Sequence, residues 1–506
     1  MDNGRFFKSE SDLSPDFIIP HLMIMKLTVF LFTILFSSFV LAQNKPLSLH
    51  PENPHYFLFR GKPTILITSA EHYGAVVNLH FDYIKYLDEL KANGLNYTRI
   101  FSGAYIEAPG AFGITKNTLA PANGKFICPW KRSNKPGHKN GGNKFNLDEW
   151  DKEYFVRLKN FVSEAGKRGV VVEMTFFSSL YSDDGWKNSP LNGSNNVNKI
   201  DSIARKNIQT LNNGRLLKYQ EAMVRKIVAE LKGFDNVFYE IQNEPWADFG
   251  IKVLDLNRKE EGLSPWQKIV EAANPASLAW QKYMVSVIVK EETKQKEKHL
   301  VAQNFTNYQY KLQDVNPDVS ILNFHYALPE AASENYGLNK VIGFDESGFS
   351  GNKDETYRKQ AWRFIMAGGG LFNSLDYSFT TDSPEGTEVQ KAPGGGSRTL
   401  RQQLKVLKDF MESFDFVKLK PIAPLNRNDK YTVYQLAEAA KQHAFYFEDV
   451  DQGKVSIQLP AGNYTIDIIS IEDGTAKSLG RKNHTGGELQ LDIPDMKDFA
   501  LRAVAF

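Results

Sequence analysis

Cysteine is almost absent from this chain of 506 residues, and Cys128 is the only one. An intramolecular disulfide is therefore impossible, and stability must come from packing. An excess of one charge sign is also lacking, because 61 Lys and Arg against 59 Asp and Glu leave a net charge of +2. This balance argues against a large basic surface that would bind nucleic acid.

Motifs that hold metals, phosphates or dinucleotides are missing as well. The ten histidines are scattered without the spacing of a zinc site. No GxxxxGK loop occurs, and no GxGxxG run follows an apolar strand-like segment. We therefore expect no cofactor, no bound metal and no nucleic-acid partner.

The longest apolar run, residues 27–42, is shorter than the about 20 residues that a membrane-spanning helix needs. Lys26 precedes the run, and Val40, Leu41 and Ala42 close it. A charged start, a short apolar stretch and a small-residue end are typical of a secretory signal peptide. We predict an N-terminal extension and signal peptide over residues 1–42, with the signal at about 25–42. We expect export to the periplasm or the medium, with no stable membrane span once the signal is removed.

The region that follows is typical of a globular α/β domain. Short apolar runs alternate with amphipathic helical stretches, which predicts a (β/α)₈ TIM barrel over residues 43–415. The predicted strands are Thr64–Ser69, Asn96–Ser102, Val170–Phe177, Val237–Gln242, Leu300–Phe305, Ile321–Phe324, Val341–Phe344 and Leu371–Tyr377. Helical spacing is found at Phe81–Leu90, Phe155–Ala165, Leu216–Leu231, Leu278–Ile288, Tyr357–Met366 and Leu400–Phe410. We expect eight strand–helix repeats, with a single helical turn between the sixth and seventh strands.

Two parts of the chain depart from this repeat. Residues Ile106–Asn146 form a long insertion rich in Gly, Pro, Asn and Lys, and loops at this end of a barrel shape binding clefts. Residues 416–506 change to short strands separated by turn signals, which predicts a small C-terminal all-β sandwich. Its expected strands are Tyr431–Leu436, Ala444–Phe447, Lys454–Leu459, Tyr464–Ile469, Glu488–Leu491 and Phe499–Phe506. This domain either packs on the barrel as a structural element or binds sugar.

Two glutamates follow predicted barrel strands. Glu244 follows Asn243 at the end of the fourth strand, and Glu346 follows Asp345 at the end of the seventh. Catalytic groups of such barrels lie at the C-terminal strand ends, and hydrolysis of a glycosidic bond uses a pair of carboxyl groups. Successive strand residues point to opposite faces, so Asp345 and Glu346 cannot both face the barrel mouth.

In these residues the chain resembles the retaining glycoside hydrolases of clan A, and family 5 of that clan most of all. The resemblance covers about residues 45–415. The resemblance implies that Glu244 is the acid/base and that Glu346, rather than Asp345, is the nucleophile. It also implies that Asn243 bonds the 2-hydroxyl of the sugar. Arg99, near the end of the second strand, matches the arginine that pairs with the nucleophile.

Further residues at strand ends are candidates for binding substrate. The family usually carries a His and a Tyr one residue apart after the sixth strand, whereas His325 and Tyr326 are adjacent here. We expect Tyr326 to contact the nucleophile and His325 to contact the sugar. The other candidate sugar contacts are His72, Trp246, Trp186 and Tyr377. Tyr377 stands near the position where the family usually has a tryptophan, so the substrate of family members cannot be transferred.

The sequence thus predicts a retaining glycosidase (EC 3.2.1.-) that cleaves O-glycosidic bonds of a poly- or oligosaccharide by double displacement. Two alternatives stay open at this point: a non-catalytic carbohydrate-binding barrel, and a transglycosylase with the same catalytic pair. The sugar and linkage, endo or exo action, and the oligomeric state are likewise open.

Overall fold

The computed structural model describes residues 45–294, 298–422, 430–451 and 453–506, together with the backbone of 426–428. Residues 45–506 form one compact unit, and the domain boundary at 415/416 stays a prediction. The predicted extension and signal peptide, residues 1–42, lie outside the described residues. No helix within the described ranges is long and apolar enough to cross a membrane.

Eight parallel strands form a nearly closed barrel, as predicted. They are β1 Leu66–Ala70, β2 Tyr97–Phe101, β3 Val171–Ser178, β4 Val237–Asn243, β5 Val301–Asn307, β6 Ile321–His325, β7 Val341–Glu346 and β8 Leu371–Leu375. β8 pairs with β1, and Asn96 links β1 to β2. The Asn96 side chain accepts from the Ile67 N–H at 3.0 Å and donates to the Ile65 carbonyl at 2.8 Å. Helices cover the outside of this barrel, so its strands are near-continuous apolar runs.

Seven α-helices of seven or more residues are found in the described part of the barrel region; six connect successive strands, and the last follows β8. They are α1 Tyr83–Ala92, α2 Lys152–Lys167, α3 Leu216–Leu231, α4 Pro275–Glu292, α5 Pro329–Asn335, α6 Asp354–Met366 and α7 Arg398–Glu412. α1, α2 and α4 begin at Asp82, Asp151 and Asn274, whose side chains accept from the first free N–H groups. The connection between β5 and β6, residues 308–320, is fully described and contains no helix. The prediction of eight strand–helix repeats is therefore wrong there, because the connection is short and Pro317 interrupts it.

A small antiparallel sheet closes the N-terminal end of the barrel. Its strands are Ser48–Leu49, Phe57–Phe59 and Lys62–Thr64. Leu47, Phe57 and Phe59 pack against residues at or near the start of each barrel strand, which are Leu66, Tyr97, Val171, Phe238, Ala302, Ile321, Val341 and Leu371. Because this end is sealed by apolar contacts, the barrel is accessible from the C-terminal ends of its strands.

Hairpins enlarge the loops at the accessible end. The antiparallel pair Trp130–Pro136 and Asn143–Trp150 begins within the predicted insertion and extends four residues beyond its predicted end at Asn146. A second hairpin, Ile251–Asp255 with Ile269–Ala272, follows β4 and pairs at Ala272 with Thr306 of β5. Neither hairpin was expected from the sequence, since their residues show little alternation of apolar and polar side chains.

The C-terminal region is an all-β domain, as predicted. It holds strands Lys420–Pro421, Asn426–Asn428, Tyr431–Glu438, Gln442–Glu448, Gly462–Ser470, Ala476–His484 and Phe499–Ala505 in one sheet, and Lys454–Leu459 with Gly487–Asp492 in another. Contacts with α6 join the domain to the barrel: Trp362 stacks on Tyr446 at 5.1 Å, and Arg363 donates to Glu448 at 2.8 Å. Ala476–His484 was missed because it is mostly polar.

Candidate active site

A cavity of about 290 Å³ opens at the C-terminal end of the barrel. Loops after six strands, β1, β2, β3, β4, β7 and β8, contribute to its lining, together with Tyr326 after β6. The lining residues are His72, Tyr73, Phe101, Tyr105, Glu107, Phe112, Ile114, Tyr181, Asn243, Glu244, Trp246, Ala247, Trp266, Glu271, Tyr326, Glu346, Phe349, Leu375 and Tyr377. Aromatic walls with a few carboxyl groups form a site suited to a polar ring compound.

Backbone strain is concentrated around this cavity. Fifteen non-glycine residues of the described chain have a positive φ, and six of them line the cavity: Tyr73, Phe112, Tyr181, Glu244, Tyr326 and Phe349. Each such residue costs on the order of 1–3 kcal/mol, and residues of this kind gather at functional sites. The strain, which includes Glu244 and five residues other than the glutamates, therefore also marks this cavity as the candidate active site.

Glu244 and Glu346 lie close together in the cavity. One oxygen of each carboxyl group lies within 4.8 Å of the other. The Tyr326 hydroxyl lies between them, 2.9 Å from Oε1 of Glu244 and 2.9 Å from Oε1 of Glu346. Two groups from β4 and β7 thus share one hydrogen-bonding partner from β6.

The second carboxylate oxygen of Glu346, Oε2, contacts two residues of the barrel. Tyr73 donates its hydroxyl to Oε2 at 2.7 Å, and Nη1 of Arg99 lies 3.6 Å from the same atom. Arg99 is completely buried, and its Nε is 3.2 Å from Oδ2 of Asp345. Glu346 lines the cavity, whereas Asp345 lies wholly buried in the barrel interior.

Glu244 is held by three donors. Tyr181 donates to Oε2 at 2.9 Å, and His325 Nδ1 lies 3.1 Å from Oε1, next to the Tyr326 hydroxyl. Asn243 donates through Nδ2 to the Tyr181 hydroxyl at 2.8 Å. The Oδ1 atom of Asn243 is buried without a hydrogen-bond partner among the described residues, so it is free to accept from a ligand.

His325 and Tyr326 both reach the glutamates although they are adjacent. The pairing of β6 with β7 is irregular after Phe324, and Tyr326 has a φ of 52°. This irregularity turns both side chains toward the carboxyl groups. His325 is fully buried and outside the cavity lining, so it contacts the carboxyl groups instead of making the expected sugar contact.

The surroundings shift the protonation of these groups. Burial alone lowers the pKa of His325, but Glu346, Asp345 and Glu244 raise it to about 10. Burial raises the pKa of Glu346, and the charge of Glu244 adds to this against His325 and Arg99. The pKa of Glu244 lies below its ordinary value because hydrogen bonds from His325, Tyr181 and Tyr326 outweigh burial. The surroundings thus raise the pKa of Glu346 and lower that of Glu244, the reverse of the order that the resemblance implies for a nucleophile and an acid.

The remaining candidate sugar contacts fall into two groups. His72, Trp246 and Tyr377 line the cavity, and Nε2 of His72 lies 3.1 Å from Oε1 of Glu107. Trp186 lies in the short helix Asp183–Trp186, packs in the barrel core and does not line the cavity. The structure therefore does not bring Trp186 to the site.

Sequence reasoning missed several cavity residues, among them Phe112, Tyr181, Trp266, Glu271 and Phe349. Tyr181 could have been found, because it follows β3 closely. The Glu271 carboxyl group has no hydrogen-bond or ion-pair partner in the described part of the chain, while its N–H donates to Asn307 Oδ1 at 2.8 Å. Burial and the nearby Glu244 raise the pKa of Glu271. Phe349 follows β7 equally closely, whereas Phe112, Trp266 and Glu271 lie in insertions whose sequence contains no strand-end signal.

A buried charged layer supports the site from within the barrel. Arg99 donates to Glu240, and its Nε lies 3.8 Å from Glu173 and 3.2 Å from Asp345. Burial raises the pKa of Glu240 to about 7. These three carboxyl groups could ligate a metal by distance alone, but the Arg99 guanidinium contacts each of them and supplies the positive charge. The expectation that no metal binds stays a prediction.

Comparisons with known proteins agree with this architecture. No protein-family model and no curated protein matches the chain. A family 5 glycoside hydrolase from Bacteroides vulgatus ATCC 8482 is 12% identical with a TM-score of 0.57, covering 91% of this chain and 93% of its own. A second protein of that strain, proposed to be a glycoside hydrolase, is 13% identical with a TM-score of 0.58, covering 92% and 83%. A further glycoside hydrolase is 13% identical with a TM-score of 0.54, covering 92% and 97%.

At these identities the likeness establishes the fold. The chain is a TIM barrel with a C-terminal β domain, in the form found in glycoside hydrolases. This fold is similar to that of the family 5 glycoside hydrolase and of the second protein from the same strain.

Proposed function

We propose that this protein is a retaining glycoside hydrolase that cleaves O-glycosidic bonds of a poly- or oligosaccharide. The observation that carries this proposal is the close approach of Glu244 and Glu346, with one oxygen of each within 4.8 Å and Tyr326 bridging them. Retaining enzymes hold their carboxyl groups about 5–5.5 Å apart, while inverting enzymes need about 6.5–9.5 Å to admit a water. The close approach of the two nearest oxygens supports direct attack by a carboxylate.

Glu346 is the proposed nucleophile, and Glu244 is the proposed acid/base. A Glu346 oxygen bonds to the anomeric carbon as the glycosidic C–O bond breaks, and the leaving oxygen takes the proton of Glu244. Glu244 then removes a proton from water, the water oxygen bonds to the anomeric carbon, and the bond to Glu346 breaks. Arg99 and Tyr73, which contact Oε2 of Glu346, favour its charged form when it leaves.

These roles require Glu244 to be protonated and Glu346 to be ionised when the first step begins, so a proton held on Glu346 must pass to Glu244. The Tyr326 hydroxyl lies 2.9 Å from an oxygen of each. It can accept the Glu346 proton while giving its own to Glu244, so that Tyr326 itself is unchanged. Binding of a sugar above Glu346 then completes the arrangement that the double displacement needs.

Three polar groups are proposed to hold the sugar. Asn243 Oδ1 has no partner within the described structure and accepts from the 2-hydroxyl, an interaction that strengthens in the transition state. The free carboxylate of Glu271 accepts from further hydroxyls. His72 bonds the sugar from the opposite wall, and Trp246 and Tyr377 offer aromatic faces.

The decisive test measures whether azide, as an added nucleophile, restores activity to the variants Glu346→Ala and Glu244→Ala. The substrates are a panel of 4-nitrophenyl glycosides. Azide is expected to rescue Glu244→Ala with a glycosyl azide of retained configuration, and Glu346→Ala with one of inverted configuration. Glu488→Gln, an exposed glutamate of the β domain, is the matched control and keeps full activity. Exchange of the two azide products would reverse the roles, and unimpaired activity of Glu346→Ala would refute the mechanism.

Export is a separate proposal that rests on residues 1–42. Expression in a bacterial host should yield a mature chain that begins near Gln43. Mass spectrometry of the intact secreted protein measures this. A protein that keeps residues 27–42 and stays in the cytoplasm would contradict it.

A further inference from the structure

The insertion after β2 folds over the cavity. Phe112, from this insertion, is 41% exposed and lies edge-on to Tyr181 at 5.0 Å. Its ring is also 6.5 Å from that of Phe349, which follows β7. Rings from three separate loops therefore meet above Glu244 and Glu346.

A second group of rings continues this wall. Trp266, in the short helix Pro265–Lys268 of the hairpin after β4, lies 5.5 Å from Phe349 and 5.1 Å from Tyr326. Phe349 and Tyr326 are 5.9 Å apart. The three rings contact one another, and together they form one wall of the cavity that holds the catalytic pair.

The insertion is also tied to the loop after β8. The N–H of Lys116 donates to Oε1 of Gln390 at 2.6 Å, and Nε2 of Gln390 donates to the Lys116 carbonyl at 3.1 Å. The Thr115 N–H donates to the Lys391 carbonyl at 3.2 Å, and Lys116 pairs with Glu388 at 2.7 Å. This double connection fixes the insertion against the loop after β8, which contributes Tyr377 to the cavity lining.

We propose that the cavity is a pocket for the end of a sugar chain, so that the enzyme removes terminal residues instead of cutting within a polymer. This inference rests on the proposed glycosidase function and names its mode of action. Internal cleavage requires an open path on both sides of the catalytic pair, whereas here the ring wall and the fixed insertion bound the cavity on two sides. The cavity of about 290 Å³ also lies at the lower limit of about 300–1,000 Å³ for small-molecule sites.

The test compares two kinds of probe with the full chain. One is a panel of 4-nitrophenyl monoglycosides, and the other is a panel of insoluble, dyed and cross-linked polysaccharides that release dye only on internal cleavage. Hydrolysis of a monoglycoside without dye release is the expected result. Dye release at a rate comparable with monoglycoside hydrolysis overturns the pocket but leaves the glycosidase function intact. Inactivity on both panels overturns the proposed function, and this inference with it.

Substitution of the aromatic residues that form the wall gives a second measurement. Phe112→Ala and Phe349→Ala are each expected to raise the ratio of internal to terminal cleavage on a soluble polysaccharide by up to about tenfold, since one aromatic contact is lost. Val156→Ala, on the exposed face of α2, is the control and leaves the ratio unchanged. A purely structural role of the two phenylalanines would lower both activities together and leave the ratio constant, which would contradict the proposal.

Discussion

The two ends of the barrel are built from the same eight strands but from different chemistry. At the N-terminal end, the first residues of the strands are apolar and packed under a small sheet. At the C-terminal end, the strands end in Glu244, Glu346 and their hydrogen-bonding partners, and the backbone is strained. Arg99 and the buried carboxyl groups separate these two layers. The comparison shows how one set of strands can take its stability from one end and present reactive groups at the other.

The largest effect is expected from a substitution at the C-terminal end of the barrel, where the two glutamates lie. Glu244→Gln should lower kcat by about 10²–10⁴ on a natural oligosaccharide, because the leaving oxygen loses its proton donor. On a 2,4-dinitrophenyl glycoside the loss in the first step should be far smaller, since that leaving group needs no proton. Steady-state kinetics on both substrates measure the difference.

Equal losses on the two substrates would contradict the acid role of Glu244. Glu271→Gln is the matched control within the cavity. It is expected to raise KM on both substrates without this dependence on the leaving group.

Removal of Arg99 tests the layer between the two ends. Arg99→Met should lower the free energy of unfolding by about 3–5 kcal/mol, because it leaves buried carboxyl groups without their partner. It should also alter the pH profile of kcat/KM, since Arg99 contacts Glu346. Chemical denaturation and pH-dependent kinetics provide the two readouts.

Phe238→Ala serves as the comparison at the apolar end. It should lower the free energy of unfolding by a similar amount, about 3–5 kcal/mol, because it leaves a cavity in the core. The pH profile of kcat/KM should not change. An altered pH profile in Phe238→Ala would contradict the division of the barrel into a stabilising end and a reactive end.

The charge on His325 gives a pH-dependent prediction of intermediate size. Its pKa is raised from 6.5 to about 10 in the folded state by Glu346, Asp345 and Glu244, against burial. Protonation therefore favours folding, so this stabilisation is complete below pH 6.5 and is lost as the pH rises toward 10. The difference in unfolding free energy between the wild type and His325→Gln should shrink from pH 6 to pH 10, in about that window.

The same measurement on His80→Gln, an exposed histidine outside the cavity, controls for general effects of pH. A wild-type minus His325→Gln difference that stays constant over this range would show that His325 is neutral in the folded protein.

The smallest expected effect compares two tryptophans that look alike in sequence. Trp246→Phe should raise KM by a few-fold, because Trp246 lines the cavity and the smaller ring offers less stacking area. Trp186→Phe should leave KM unchanged, since Trp186 packs in the core. Kinetics on one substrate decide this, and a matching rise in KM for Trp186→Phe would contradict the placement.

Local patterns predicted much of the fold. All eight barrel strands were found because they are runs of buried apolar residues, and Glu244 and Glu346 were found because they end two such runs. The helix expected between β5 and β6 is not formed, although α-helical connections are the rule in this architecture. The placement of His325 was not predicted either, because strand alternation cannot anticipate the irregular pairing after Phe324.

The sequence by itself determined which residues stand at the strand ends, since apolar runs and their polar ends are local properties of the chain. Only the tertiary structure decided that Tyr326 bridges the two glutamates and that Phe112 and Phe349 meet above them. Those contacts join loops that are far apart in sequence. No periodicity encodes them, because they form only when closure of the barrel brings the loops together.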